Sequence, residues 1–181
     1  MRLFIISVAA ILAAGTVKAT DATDGGVGVP PCRAHEYGRL LDFWLGDWKV
    51  TSMDGTTVFG ENHVTMALDG CAIHEDWKGA AGARGQSLFF FDARGGAWEQ
   101  IWVTADTSKP SGLKRKRLVQ TYIYGGVIFR GMPLGEDGKH YLEKTTLMLL
   151  PRGEVRQLIE SSTDNGKTWR TVFDARYSRL D

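Results

Sequence analysis

The chain has almost no excess of charge of either sign: 22 Lys and Arg stand against 21 Asp and Glu in 181 residues. A near-neutral domain has no electrostatic reason to seek nucleic acid, so that class of partner is set aside. No G-x-S-x-G, H-E-x-x-H or P-loop spacing occurs, and with them go the serine-hydrolase, zinc-protease and nucleotide-triphosphatase readings. There are four histidines, His35, His63, His74 and His140, and none stands at ligand spacing from another. No metal and no cofactor is therefore expected, and a haem ligand among them lacks supporting spacing. Helical periodicity occurs in one short stretch of the mature chain. Long apolar runs are missing too, except at the start.

That one run has the layout of an export signal. Arg2 precedes the apolar Leu3–Ala14, and Val17-Lys18-Ala19 offers small residues for cleavage. The run is too short to span a bilayer. Residues 1–19 are read as a signal peptide, 20–35 as a flexible N-terminal segment and 36–181 as one domain, periplasmic or secreted. Cysteine is scarce as well, and the pair Cys32 and Cys71 should join in an oxidising compartment. Closing a loop of about 40 residues would contribute about 4 kcal/mol on the chain-entropy account.

Ser162-x-Asp164-x-Gly166-x-Thr168-Trp169 matches the Asp-box of sialidase-type β-propellers. Propellers repeat such a signature every 40–50 residues or so, and here the full pattern occurs once. What remains is a well-made turn: Asp164 bonding the backbone ahead, Gly166 with positive φ and Trp169 covering the hairpin.

In "EYGRLLDFWLG", Tyr37, Leu40, Leu41 and Trp44 recur at helical spacing before Gly46, which predicts one short helix. After Gly46 the texture is alternation punctuated by turns such as Asp54-Gly55, Asp69-Gly70, Gly125-Gly126, Asp137-Gly138 and Asn165-Gly166. This predicts about ten antiparallel strands, near 47–53, 57–68, 71–78, 86–92, 97–104, 113–123, 126–132, 140–150, 154–162 and 168–178. So many strands in a small all-β domain must hide their edges. The expected fold is an up-and-down antiparallel barrel with the helix capping one end. Pairing across Asp69-Gly70 as a two-residue turn sets Leu68 opposite Cys71, Met66 opposite Ile73, Val64 opposite Glu75 and Asn62 opposite Trp77 on the inner face. His63 and Asp76 then form a surface pair on the outer face.

Three strands carry one long polar residue in an otherwise apolar inner face: Glu75 between Ile73 and Trp77, Gln100 between Trp98 and Trp102, and Gln157 between Val155 and Ile159. Burying such groups unpartnered is costly, so they must meet each other, an Arg, water or a ligand. Glu75, Gln100 and Gln157 are the candidate site, with Trp48, Trp77, Trp98 and Trp102 as apolar walls. The basic run Lys114–Arg117 has charge at both faces of a strand start and reads as a solvated edge projecting beyond the barrel.

Five segments, "LLDFWLGDWKV", "GCAIHEDWKG", "GQSLFFFD", "WEQIWV" and "VRQLIESSTDNGKTW", give the chain from about Cys32 to Tyr177 a likeness to a known family. It resembles the small, often exported bacterial proteins known as a domain of unknown function and grouped with lipocalin-like, calycin-type barrels. The resemblance implies a barrel with an interior pocket lined by Trp48, Glu75, Trp77, Gln100 and Trp102, and it implies no established activity. The segment "TADTSKPSGLKRKRL" departs from the family by lacking an aspartate-glycine turn after the second Trp. The similar nitrobindin-like barrels ligate haem through a His near the C-terminus, and this chain has none after His140. The expected role is binding of a small apolar or amphipathic molecule in the barrel. The alternatives are an isomerase, cyclase or hydrolase using Glu75 as acid or base, and a structural envelope protein with a filled core.

Overall fold

The computed structural model describes residues 28–106, 112–122 and 125–180. The expected signal peptide and residues 20–27 of the segment 20–35 lie outside the described residues. After a one-turn helix α1 (Pro31–Ala34) come ten strands: β1 (Gly46–Thr51), β2 (Val58–Ala67), β3 (Ala72–Gly79), β4 (Arg84–Asp92), β5 (Ala97–Thr104), β6 (Leu113–Tyr122), β7 (Gly126–Gly131), β8 (Leu142–Leu149), β9 (Val155–Ser162) and β10 (Arg170–Arg179). Each pairs antiparallel with its neighbours in sequence, and β1 pairs with β10, so the sheet closes into a barrel. The seam sets Trp48 opposite Arg179 and Val50 opposite Tyr177. Closure leaves neither edge unpaired.

The hairpin of β2 and β3 has the expected register, Asn62 opposite Trp77 and Val64 opposite Glu75. Its turn is longer than two residues: a 3₁₀ turn spans Leu68–Gly70, with Leu68, Asp69 and Gly70 all at positive φ. Ala67 faces Ala72 across it. Met66, expected inside, is exposed, as is Leu68. His63 lies directly opposite Asp76, yet its ring pairs instead with Asp47 on β1. The Asp-box segment makes the β9–β10 turn. The Asp164 carboxylate accepts bonds from the Thr168 amide at 2.9 Å and from the Thr168 and Ser162 hydroxyls. Those bonds, the Thr168 hydroxyl foremost, hold its pKa down to about 2.

The N-terminal cap departs from a single helix over Tyr37–Trp44. The chain makes α1, then a series of turns, then a 3₁₀ turn at Asp42–Trp44. The turns pass close beneath α1 at Gly38, where a Cβ would lie 1.7 Å from the Cys32 carbonyl oxygen, so only glycine fits there. Leu41 and Trp44 are still fully buried, whereas Tyr37 is exposed. Two links anchor this cap. The Cys32–Cys71 disulfide ties α1 to the β2–β3 turn, and the Arg33 guanidinium grips both Asp42 oxygens at 2.6 and 3.0 Å. The Trp44 ring sits 4.8 Å from Tyr177 and 6.0 Å from Trp48, and the Trp48 indole N–H donates to the Trp44 carbonyl.

One end of the barrel is thus filled by aromatic rings. Replacing the fully buried Trp44 by Ala is expected to cost about 3–5 kcal/mol, as other large-to-small core changes do. Urea unfolding of the oxidised protein measures it. A loss below about 1 kcal/mol, the range of surface substitutions, would show that the cap does not close the core.

Candidate functional site

Toward the opposite end the interior is open. A cavity of about 270 Å³ lies there, walled by Trp77, Trp102, Ile159, Val172 and Phe173, with Glu75, Gln100, Gln157, Lys114, Lys116, Thr145 and Tyr177 supplying its polar surface. Strand alternation turns Glu75, Gln100 and Gln157 inward, and all three are buried. Trp77 and Trp102 stand with them. Trp48 and Trp98 do not: both are fully buried at the capped end. Trp98 packs on Phe91 and donates its N–H to the Tyr37 carbonyl. They face inward as expected, but at another depth along the barrel.

Two glycines shape the cavity. Gly85 on β4 faces Trp77, and a Cβ there would meet the Trp102 ring at 2.3 Å. Its missing side chain is the space into which that ring lies. Gly131 on β7 faces Glu143 on β8, and a Cβ there would meet the Arg115 carbonyl oxygen at 2.0 Å and the Lys116 stem at 3.0 Å. With no side chain between them, Lys116 reaches across β7 to Glu143, and the two charges meet at 2.6 Å.

The polar groups fall into two clusters. In the first, the Asn62 amide donates to Glu75 Oε1 at 2.9 Å, and the Gln100 amide donates to the Ser87 hydroxyl at 3.0 Å. Glu75 Oε2 and Gln100 Oε1 are buried without a hydrogen-bond partner. Burial pushes the Glu75 carboxyl above its ordinary value, against the opposing pull of Ser87, Asn62, Lys116 and His74. The Tyr177 hydroxyl donates to Gln157 Oε1 at 2.6 Å, and burial, then the Glu75 charge, raises its pKa well above that of a free phenol.

The second cluster was hidden in the basic run. Lys114 and Lys116 point inward, while Arg115 and Arg117 point out, so the run is not a solvated edge. Glu143, fully buried, takes Lys114 on Oε2 at 2.7 Å and Lys116 on Oε1 at 2.6 Å. Lys116 also donates to the Thr145 hydroxyl at 2.5 Å. Burial lowers the Lys116 pKa despite Glu143. Burial would raise Glu143, but the two lysines prevail and hold its pKa down. A sequence signal existed: Lys116 and Glu143 both occupy inward positions on strands separated by one short strand. Among the described residues no group of three or more His, Cys, Asp or Glu side chains is placed to hold a metal ion, and no helix is long and apolar enough to cross a membrane.

The fold and cavity define the class: a closed ten-stranded antiparallel barrel, capped at one end and hollow toward the other. No family model matches the chain, and no curated protein matches it in sequence.

Glu75 carries a pH signature. Its folded pKa is raised, so its contribution to stability is complete below the unfolded value near 4.5 and is lost as pH rises through the folded value. Glu75→Gln keeps an acceptor for Asn62 and removes the charge. The variant is expected to gain on the wild type as pH rises above 4.5, each pH unit between the two values adding about 1.4 kcal/mol. Chemical denaturation from pH 4 to 8 checks this, and a difference constant across that range would contradict it.

Proposed function

We propose that this is an exported, lipocalin-like protein that holds a small, largely apolar ligand inside its barrel. The observation that carries the reading is the pair of buried acceptors, Glu75 Oε2 and Gln100 Oε1, left without a hydrogen-bond partner on side chains that line an open cavity. Leaving two such atoms unpaired costs about 1–3 kcal/mol each, and a bound molecule that hydrogen-bonds in the cavity reduces that cost. The aromatic faces of Trp77, Trp102 and Phe173 offer such a molecule an apolar bed. A cavity of about 270 Å³ speaks against a purely structural protein with a filled core. The N-terminal export pattern and the Cys32–Cys71 bridge support an oxidising compartment. The five sequence segments that resemble the lipocalin-like family support the same assignment.

Native mass spectrometry of protein purified from its own host tests the proposal. A single added mass, lost on denaturation and reduced in Glu75→Gln, is expected. A clean apo mass, together with a crystal structure showing the cavity closed by side chains, would contradict it.

A further inference from the structure

The two polar clusters face the same cavity, and the second holds more basic groups than acidic ones. Glu143 is one carboxylate shared by two ammonium groups, Lys114 and Lys116. The only other acid on the cavity wall is Glu75. Among the described residues Glu75 is in no ion pair, and its hydrogen-bonding neighbours are neutral, the Asn62 amide at 2.9 Å and the Ser87 hydroxyl opposite it. The Lys114–Glu143–Lys116 cluster thus sets two basic groups against one carboxylate, and Glu75 is ion-paired with neither lysine. Lys116 is held by Glu143 and Thr145, which leaves the third of its ammonium hydrogens uncommitted. Lys114 lies nearer the mouth, partly exposed, on the wall of both this cavity and the adjoining outer groove.

Resting on the binding reading above, we propose that the ligand is a monoanion, an aromatic or aliphatic carboxylate whose head group completes the Lys114–Glu143–Lys116 cluster and whose body lies on Trp77, Trp102 and Phe173. The carboxylate supplies a second negative charge beside the buried Lys116, where charge-assisted hydrogen bonds are strong. It also gives Glu75 a use for its unpaired oxygen. A protonated Glu75 Oε2–H is a donor, and the carboxylate is an acceptor within the same small space. A cationic ligand finds the opposite situation: two ammonium groups already face it, and the neighbouring acid is driven toward its neutral form by burial. A neutral amide satisfies the orphan acceptors but leaves the excess positive charge uncompensated.

Three probes of nearly one shape separate these cases: 3-phenylpropanoate, 3-phenylpropanamide and 3-phenylpropylamine, titrated calorimetrically into delipidated full-length mature protein at pH 6. The carboxylate is expected to bind at least about tenfold tighter than the amide, the worth of one charge-assisted hydrogen bond, and the amine weakest. Lys116→Met leaves the Lys114–Glu143 pair intact and should cost the carboxylate about tenfold more affinity than it costs the amide, closing the gap between them. If Lys116→Met does not fold, Lys114→Met makes the same change in charge at a less buried position. The amide or the amine binding as tightly as the carboxylate would overturn the proposal and leave the carrier function standing. Binding of none of the three would also overturn it, and the mass of the host-purified protein then decides the carrier function separately.

Discussion

The pairing of β1 with β10 is the constraint on which the site depends. Without that seam, inward side chains such as Glu75, Gln100 and Lys116 would lie on one face of an open sheet and could turn to water. With it, each strand's inner positions face nine others, and every polar group there must find a partner inside. The chain meets this requirement unevenly. Gln157 with Tyr177, and Lys116 with Glu143 and Thr145, are matched at 2.5–2.6 Å. Glu75 Oε2 and Gln100 Oε1 are not.

The two ends of the barrel divide stability from function. The capped end buries Leu41, Trp44, Trp48, Trp98 and Tyr177 together and is bolted by the disulfide and the Arg33–Asp42 clamp. That apolar mass stabilises the fold enough to tolerate a cavity lined by unpaired polar atoms further along the same strands. Both sides of this division are set by small residues as much as by large ones. Gly38 lets the cap turn beneath Cys32, Gly85 gives way to the Trp102 ring, and Gly131 opens the path from Lys116 to Glu143.

Most of the strands were legible because two signals coincide in them, alternation along each strand and Gly-containing turns between. β5 spans the residues expected, and the Val64–Glu75 register follows even though the turn has more residues than assumed. What alternation cannot report is depth. It names the face of Trp48 and Trp98 correctly, yet only the stagger of neighbouring strands places them at the cap and Trp77 at the cavity. Helical spacing likewise marked Leu41 and Trp44 as core, but periodicity is blind to the close backbone approach of Gly38 to Cys32 around which the chain turns. The lysines were misread for a related reason. A charged residue at an inner position looks like an edge until its partner is found on a strand two places away, and a glycine between them is the only local trace of that meeting.

The site depends on Glu75 holding its proton to higher pH than Glu143, its fellow buried acid. Carbon-detected NMR of the glutamate side-chain carboxyls across a pH titration reads both groups in one experiment. Glu75 should titrate above the ordinary value of 4.5 and Glu143 below it, with the Glu75 resonance moving further when a carboxylate probe is added. A Glu75 that titrates at or below Glu143 would contradict the account, because the cavity would then already hold the negative charge that a ligand is proposed to bring.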